Sequence, residues 1–179
     1  LRVEQLAQLQ HPSLAVVRSV ERLEADGGLS LVSKHTSGRR VSELVQKARG
    51  PVFALELIRQ VTPALAALQL AGEGVSHGAL SAERIVVTRE GRLVVVEHVL
   101  GFAIESLELP PQRLADLGLV MPAGSDPVRF DSRTDMIQLG FIALSLLVGR
   151  RLDPAEYPEH VPALLDEFTK SAEIGRAHV

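Results

Sequence analysis

The residues able to do chemistry fall in a few short runs. His77 sits in Val75-Ser76-His77-Gly78-Ala79-Leu80, Glu97-His98 follows a β-branched stretch, and Asp135 opens an apolar segment. A histidine can serve as a general base, but a lone histidine beside a core strand more often packs, and the six histidines do not share a helix face. His98 sits where a pH-sensitive group and a core filler are both open readings. Asp135 can cap the helix it begins by accepting backbone N–H bonds, and Arg150-Arg151 would complement the dipole at the far end. No nucleophile elbow, zinc-ligand spacing, Walker loop or dinucleotide fingerprint occurs.

The elements that must position these residues follow from hydrophobic period and punctuation. Arg2 to Leu9 carries an amphipathic helical pattern that stops at His11-Pro12, because the residue before a proline disfavours helical dihedrals. Leu14 to Val20 and Leu29 to Val32 read as strands joined through Asp26-Gly27-Gly28, a hairpin signature. Polar Lys34 to Arg40 reads as a linker, and Val41 to Lys47 as a short helix ended by Gly50-Pro51. Ala54, Ile58, Val61, Leu65 and Leu68 recur at helical spacing, predicting a helix over 54–71 with one buried face and a kink at Pro63. Ile85 to Val87 and Leu93 to Val96, joined by Thr88-Arg89-Glu90-Gly91, predict a second hairpin. Gly101 to Arg133, with Pro110, Pro111, Pro122 and Pro127, reads as a loop too long to be a plain connection, and helix returns at Asp135.

At 179 residues and 46% hydrophobic, the chain fits one domain with a real core. The net charge is -3, the 19 Lys and Arg are scattered and aromatics make up 3%, so neither nucleic acid nor an anionic membrane is an expected partner. The absence of cysteine rules out disulfides and thiolate metal sites; with no signal peptide at the start, it points to a cytoplasmic domain. Met136 to Gly149 is interrupted by Gln138 and Ser145 and falls short of the roughly 20 residues of a bilayer span, so it reads as a buried core helix. The chain opens at Leu1, already inside a helical pattern. Glu173 to Val179 matches one reading frame of a widely used sequencing adapter, so the expectation is a domain cut at both ends, with 173–179 outside the fold.

The order of these elements, with several local signatures, resembles the protein kinase superfamily from its third helix onward. Leu9-Gln10-His11-Pro12-Ser13-Leu14 resembles the family's helix-to-strand corner, and Leu31-Val32-Ser33-Lys34-His35 the strand entering the hinge. Gly74 to Ile85 resembles the catalytic loop with its following strand. Asp135-Met136-Ile137-Gln138-Leu139-Gly140, with Leu146-Leu147-Val148-Gly149-Arg150, resembles the central helix of the larger lobe. The resemblance implies an α+β, kinase-like fold: 1–35 as a remnant of the smaller lobe with the hinge, 36–172 as the helical larger lobe. It makes Lys34, His35 and Thr36 hinge residues able to contact a nucleotide, and gives His77, Leu80, Asp135 and Gly140 structural roles. Asp135 would brace the catalytic loop from below.

The departures from the family decide the expected function. Its catalytic loop, H-R-D-L-x-x-x-N, supplies a proton-accepting Asp and a magnesium-holding Asn; here the same frame holds Ala79 and Arg84. The D-F-G element falls on Glu97-His98-Val99, which keeps an acid and puts His98 in the place of the phenylalanine; a register shifted by two, Val99-Leu100-Gly101, keeps the glycine and loses the acid. Arg2, with Glu4 as a near miss, falls where the family has the glutamate that pairs with its lysine. The resemblance therefore implies a pseudokinase, a regulatory or scaffolding module with a protein partner. No cofactor is required, no metal is expected beyond weak binding at Glu97, and ATP without magnesium stays open. The alternatives are an atypical serine/threonine kinase using Glu97, or an unrelated helical interaction domain.

Overall fold

The computed structural model describes residues 6, 8–22, 29–124 and 128–176, with side chains at all of these except 22, 29 and 171–176. Arg2, Glu4 and the Asp26-Gly27-Gly28 turn lie outside the described residues. Strands β1 (Val17–Arg22) and β2 (Leu29–Ser33) pair antiparallel, Arg22 opposite Leu29, with a register irregularity between Val17 and Ser19. Leu14 is not part of β1 as expected. It forms a parallel bridge to Val95, where the Ala15 N–H donates to the Val95 carbonyl at 2.8 Å and the Val95 N–H to the Ser13 carbonyl at 2.8 Å. The first hairpin is thereby tied to the second.

The stretch Lys34 to Arg40 is not all linker. Arg39–Arg40 forms β3, pairing with β4 (Ile85–Val87), which pairs with β5 (Leu93–Val95) in a three-stranded antiparallel sheet of order β3-β4-β5. Gly38 permits this approach, since a Cβ there would run into the Val87 carbonyl.

Helix α1 (Val41–Leu44) is followed by α2 (Pro51–Leu70), which starts with a proline in its first turn and runs through Pro63 as one assigned helix. Its core face is Ala54, Leu57, Val61, Ala64, Leu65 and Leu68, each at most 3% exposed. Ile58, expected on that face, is 41% exposed: the stripe steps through i+3 to Leu57 before Val61, so the i+4 position turns outward. By length and composition α2 could cross a membrane, but its buried face packs with α5 (Ser132–Val148).

Helix α5 begins before Asp135. Asp131 caps it, its carboxylate accepting the Thr134 N–H at 3.0 Å. Asp135 is thus freed from the capping role the sequence suggested. The helix ends at Gly149, whose φ of 83° terminates it in the left-handed region. Leu139, Ile142, Ala143 and Leu146 join the main core, and Leu144 and Val148 pack with Leu164 of the C-terminal helix. Met136, at 43% exposed, brings its part of the first turns to the surface. Gly140 is exposed, and a Cβ there would meet nothing within 4 Å, so no close packing explains a glycine at this position.

The stretch Gly101 to Arg133 is not a continuous loop. Helix α3 (Leu100–Glu105) overlaps its start and α4 (Pro111–Asp116) opens on a proline; Ile104 and Leu114 anchor them in a second core with Ala79, Leu119 and Phe130. The C-terminal helix α6 (Val161–Arg176) continues past Ala172, where no proline interrupts it.

Candidate functional site

The loop Ser76–Leu80 hangs from α5. Asp135 accepts the His77 N–H at 2.9 Å on one carboxylate oxygen and the Gly78 N–H at 2.7 Å on the other. One turn along, the Gln138 Oε1 accepts the Leu80 N–H at 2.7 Å, while its Nε2 donates to the carbonyls of Gly78 and Val120 at 3.0 and 3.1 Å. The Ser76 hydroxyl donates to the Phe130 carbonyl at 2.5 Å. Gly78 has φ 68°, and a Cβ there would sit 2.9 Å from the Phe130 side chain, so the loop needs glycine at this point. Burial pushes Asp135 up to about 6, against the two amide bonds, which pull it down.

His77 is sealed. Its Nε2 meets the Val96 carbonyl at 3.1 Å, its Nδ1 accepts the Ala79 N–H at 3.3 Å, and no part of the residue is exposed. Burial drives its pKa down to about 3, so the ring is neutral and holds β5 to the loop. Both nitrogens are committed to the backbone, which leaves no base. Leu80, at 1% exposed, is a core residue. His98 is also buried, with Nε2 at 3.1 Å from the Leu6 carbonyl, and burial lowers its pKa.

At Ala79 the exposure is zero, and the methyl packs with Ile104, Leu114, Leu119 and Phe130. A carboxylate there would be desolvated in an apolar cluster. Arg84, in a 3₁₀ turn (Ala82–Arg84) just before β4, is anchored three ways: Nε to Glu97 at 3.2 Å, Nη1 to the Ala79 carbonyl at 3.0 Å and to the Ser81 hydroxyl at 3.2 Å. Its side chain is only 13% exposed. The other oxygen of Glu97 lies 3.9 Å from Arg40 of β3, which also donates to the Glu83 carbonyl. Glu97 thus stands between two guanidinium groups. Its φ of 61° is rare for a residue with a side chain, and strain of this kind gathers at functional sites.

Of the two registers open in the sequence, the one that brings an acid to Arg84 is Glu97-His98-Val99. Val99 leads into α3, and Gly101 lies inside that helix against the His77 carbonyl. Glu83 pairs with Arg151 at 3.3 Å and, with Leu80, Arg84 and Gln138, lines a cleft of about 250 Å³. Among the described residues no three His, Asp or Glu side chains gather as metal ligands would.

Lys34, His35 and Thr36 are not part of this arrangement. Their side chains line a separate cleft with residues of 11–16 and of the β4–β5 turn. Sequence reasoning gave no site role to Arg40 or Phe130, and read Arg151 as a partner of the helix dipole where it pairs with Glu83. Gln138 did leave a signal, as a polar residue interrupting an apolar run.

The fold that carries the Ser76–Leu80 loop has counterparts among solved structures. The chain superposes on the maize sucrose-induced receptor kinase 1 kinase domain bound to AMP-PNP with a TM-score of 0.68, at 14% identity over 94% of this chain. The fold is that of a protein kinase domain. The Mycobacterium tuberculosis PknI kinase domain gives a TM-score of 0.59 at 22% identity over 84%, and the PpkA-294 apo form 0.55 at 17% over 84%. No family profile matches the chain, nor does any curated protein. The kinase-like fold spans 64%, 56% and 53% of the length of these three chains. The expected alternative of an unrelated helical domain is thereby set aside, since the chain superposes on kinase domains over 84–94% of its length.

Proposed function

We propose that this domain is a pseudokinase, a regulatory or scaffolding module that binds another protein and does not transfer phosphate. The observation that carries this reading is the Arg84–Glu97 pair at 3.2 Å, with Arg40 closing the other side of the same carboxylate. A fixed cation occupies the place where the family pattern has a metal-holding amide. A second positive charge near 4 Å would be repelled by about 4 kcal/mol at an effective dielectric near 20. Magnesium therefore does not suit these residues. The base is also missing: the Ala79 side chain has no oxygen, and loss of a positioned general base typically removes about a hundred- to ten-thousand-fold in rate.

No cofactor is required in this reading. ATP, if it binds, does so without magnesium, its phosphate charge met by Arg40 and Arg84. The protein would act in the cytoplasm, with neither nucleic acid nor a membrane as the ligand of this domain. Thermal melting with ATP in EDTA and with ATP plus magnesium tests the metal argument. The expected result is that magnesium adds no stabilisation; a magnesium-dependent rise that disappears in Glu97→Gln would refute it.

The competing reading, an atypical kinase with Glu97 on the metal, draws on the positive φ of Glu97. It would also need a base, and Glu83 is the acid nearest in sequence to Arg84. That carboxylate pairs with Arg151, and its side chain is 52% exposed.

A further inference from the structure

The larger of the two clefts, about 420 Å³, shares no residue with the Ala79, Arg84 and Glu97 arrangement. Three segments line it: residues 11–16 ahead of β1, 34–37 after β2, and the β4–β5 turn with Val94. Its floor is apolar, with Leu14, Ala15 and Val94 buried and Val16 half exposed. Its rim is cationic. Lys34, Arg89 and Arg92 are all exposed, against the single carboxylate of Glu90. Among the described residues the Lys34 and Arg89 side chains make no hydrogen bond or ion pair, so their charge is free to meet a ligand. The chain as a whole carries a net charge of -3, which makes this a local excess running against the sign of the molecule.

We propose that this cleft docks an extended acidic segment of a partner protein. Its carboxylates would lie along Lys34, Arg89 and Arg92, and one apolar side chain would rest on Leu14, Val16 and Val94. Three cations spread over two separate segments match carboxylates spaced along a strand, whereas a lone phosphate calls for donors converging on one point. An apolar floor beneath a charged rim gives both an anchor and an orientation to such a peptide. The surface is independent of catalytic status, so its failure and the failure of the pseudokinase reading would be separate results.

The test is fluorescence anisotropy on the 179-residue chain. The probes are a labelled Glu-Glu-Leu-Glu-Glu peptide, a serine-substituted control and a neutral peptide carrying one phosphoserine. The acidic peptide is expected to bind in a salt-dependent way, and about tenfold or more weaker to a Lys34→Glu, Arg89→Glu, Arg92→Glu variant. Glu97→Gln should bind it as the parent does. Thermal melting checks that the triple variant folds, and single Arg89→Glu replaces it if it does not. No binding, equal binding of the serine control, undiminished binding by the charge-reversed variant, or preference for the phosphoserine peptide would overturn the proposal.

Discussion

Arg84 Nη1 lies 3.0 Å from the carbonyl oxygen of Ala79, so the arginine that neutralises Glu97 also ties down the residue standing where a catalytic acid is expected. The two departures from the family pattern form one local structure: an apolar anchor at Ala79, a backbone carbonyl turned to Arg84, and a guanidinium bridging to the end of β5. In the pseudokinase reading, a single substitution at either position should therefore not be enough to give phosphoryl transfer.

Ala79→Asp is expected to destabilise the domain. The new carboxylate would enter the apolar cluster of Ile104, Leu114, Leu119 and Phe130. The cost is about 2 kcal/mol or more, as for a buried unpaired polar group, and phosphoryl transfer should remain absent. Urea denaturation measures the first and an ATP-consumption assay the second. A stable, active Ala79→Asp protein would mean that the position opens to solvent.

Asp135→Asn should cost about 1.5–3 kcal/mol. The carboxylate accepts one amide N–H on each oxygen, and an asparagine has only one oxygen to offer. Gln138→Leu should cost a similar amount by leaving the Leu80 N–H without its acceptor and the Gly78 and Val120 carbonyls without their donor. Equilibrium denaturation of both variants checks this. Changes under about 0.5 kcal/mol, the usual range for surface sites, would show that the loop does not depend on α5.

The pH dependence has opposing contributions. His77 falls from 6.5 to about 3 in the folded chain. The unfolded state therefore takes up the proton first, and the stability His77 contributes is complete above about pH 6.5 and lost as pH falls toward 3. His98 acts in the same direction. Asp135 rises from 3.8 to about 6, so between those values the folded state holds the extra proton and gains stability as pH falls. The histidines act first on acidification. Stability should start to drop below about pH 6.5, by up to about 1.4 kcal/mol per pH unit for each unmatched proton, and Asp135 should offset part of the loss below about 6. Urea midpoints across this range should flatten in His77→Gln and steepen in Asp135→Asn. A pH-independent midpoint would show that the histidines are not buried neutral.

The sequence made legible those features that depend on local period and punctuation. The β-branched runs at Ile85 and Leu93, the helix after Gly50-Pro51 and the buried helix after Asp131 all appear. Asp135 beneath the loop came from the family pattern, because nothing local tells a capping acid from a bracing one. Ile58 and Leu57 are both apolar neighbours, and only packing against α5 decides which turns inward. Helices α3 and α4 were hidden because each has only 6 residues, too few to display a 3.6-residue period. Arg40 was hidden because its link to Glu97 exists only once β3 pairs with β4. Lys34, His35 and Thr36 line a different cleft from Arg84 and Glu97, a placement set by tertiary packing and not by local sequence.

The most direct measurement is phosphoryl transfer from labelled ATP, with magnesium, by the full-length protein bearing this domain, comparing the parent with Glu97→Gln and Glu83→Gln. No incorporation above background is predicted for any of the three. Turnover by the parent that disappears in either variant would contradict the account, because it would require a carboxylate free to hold a metal or accept a proton where arginine partners now hold both.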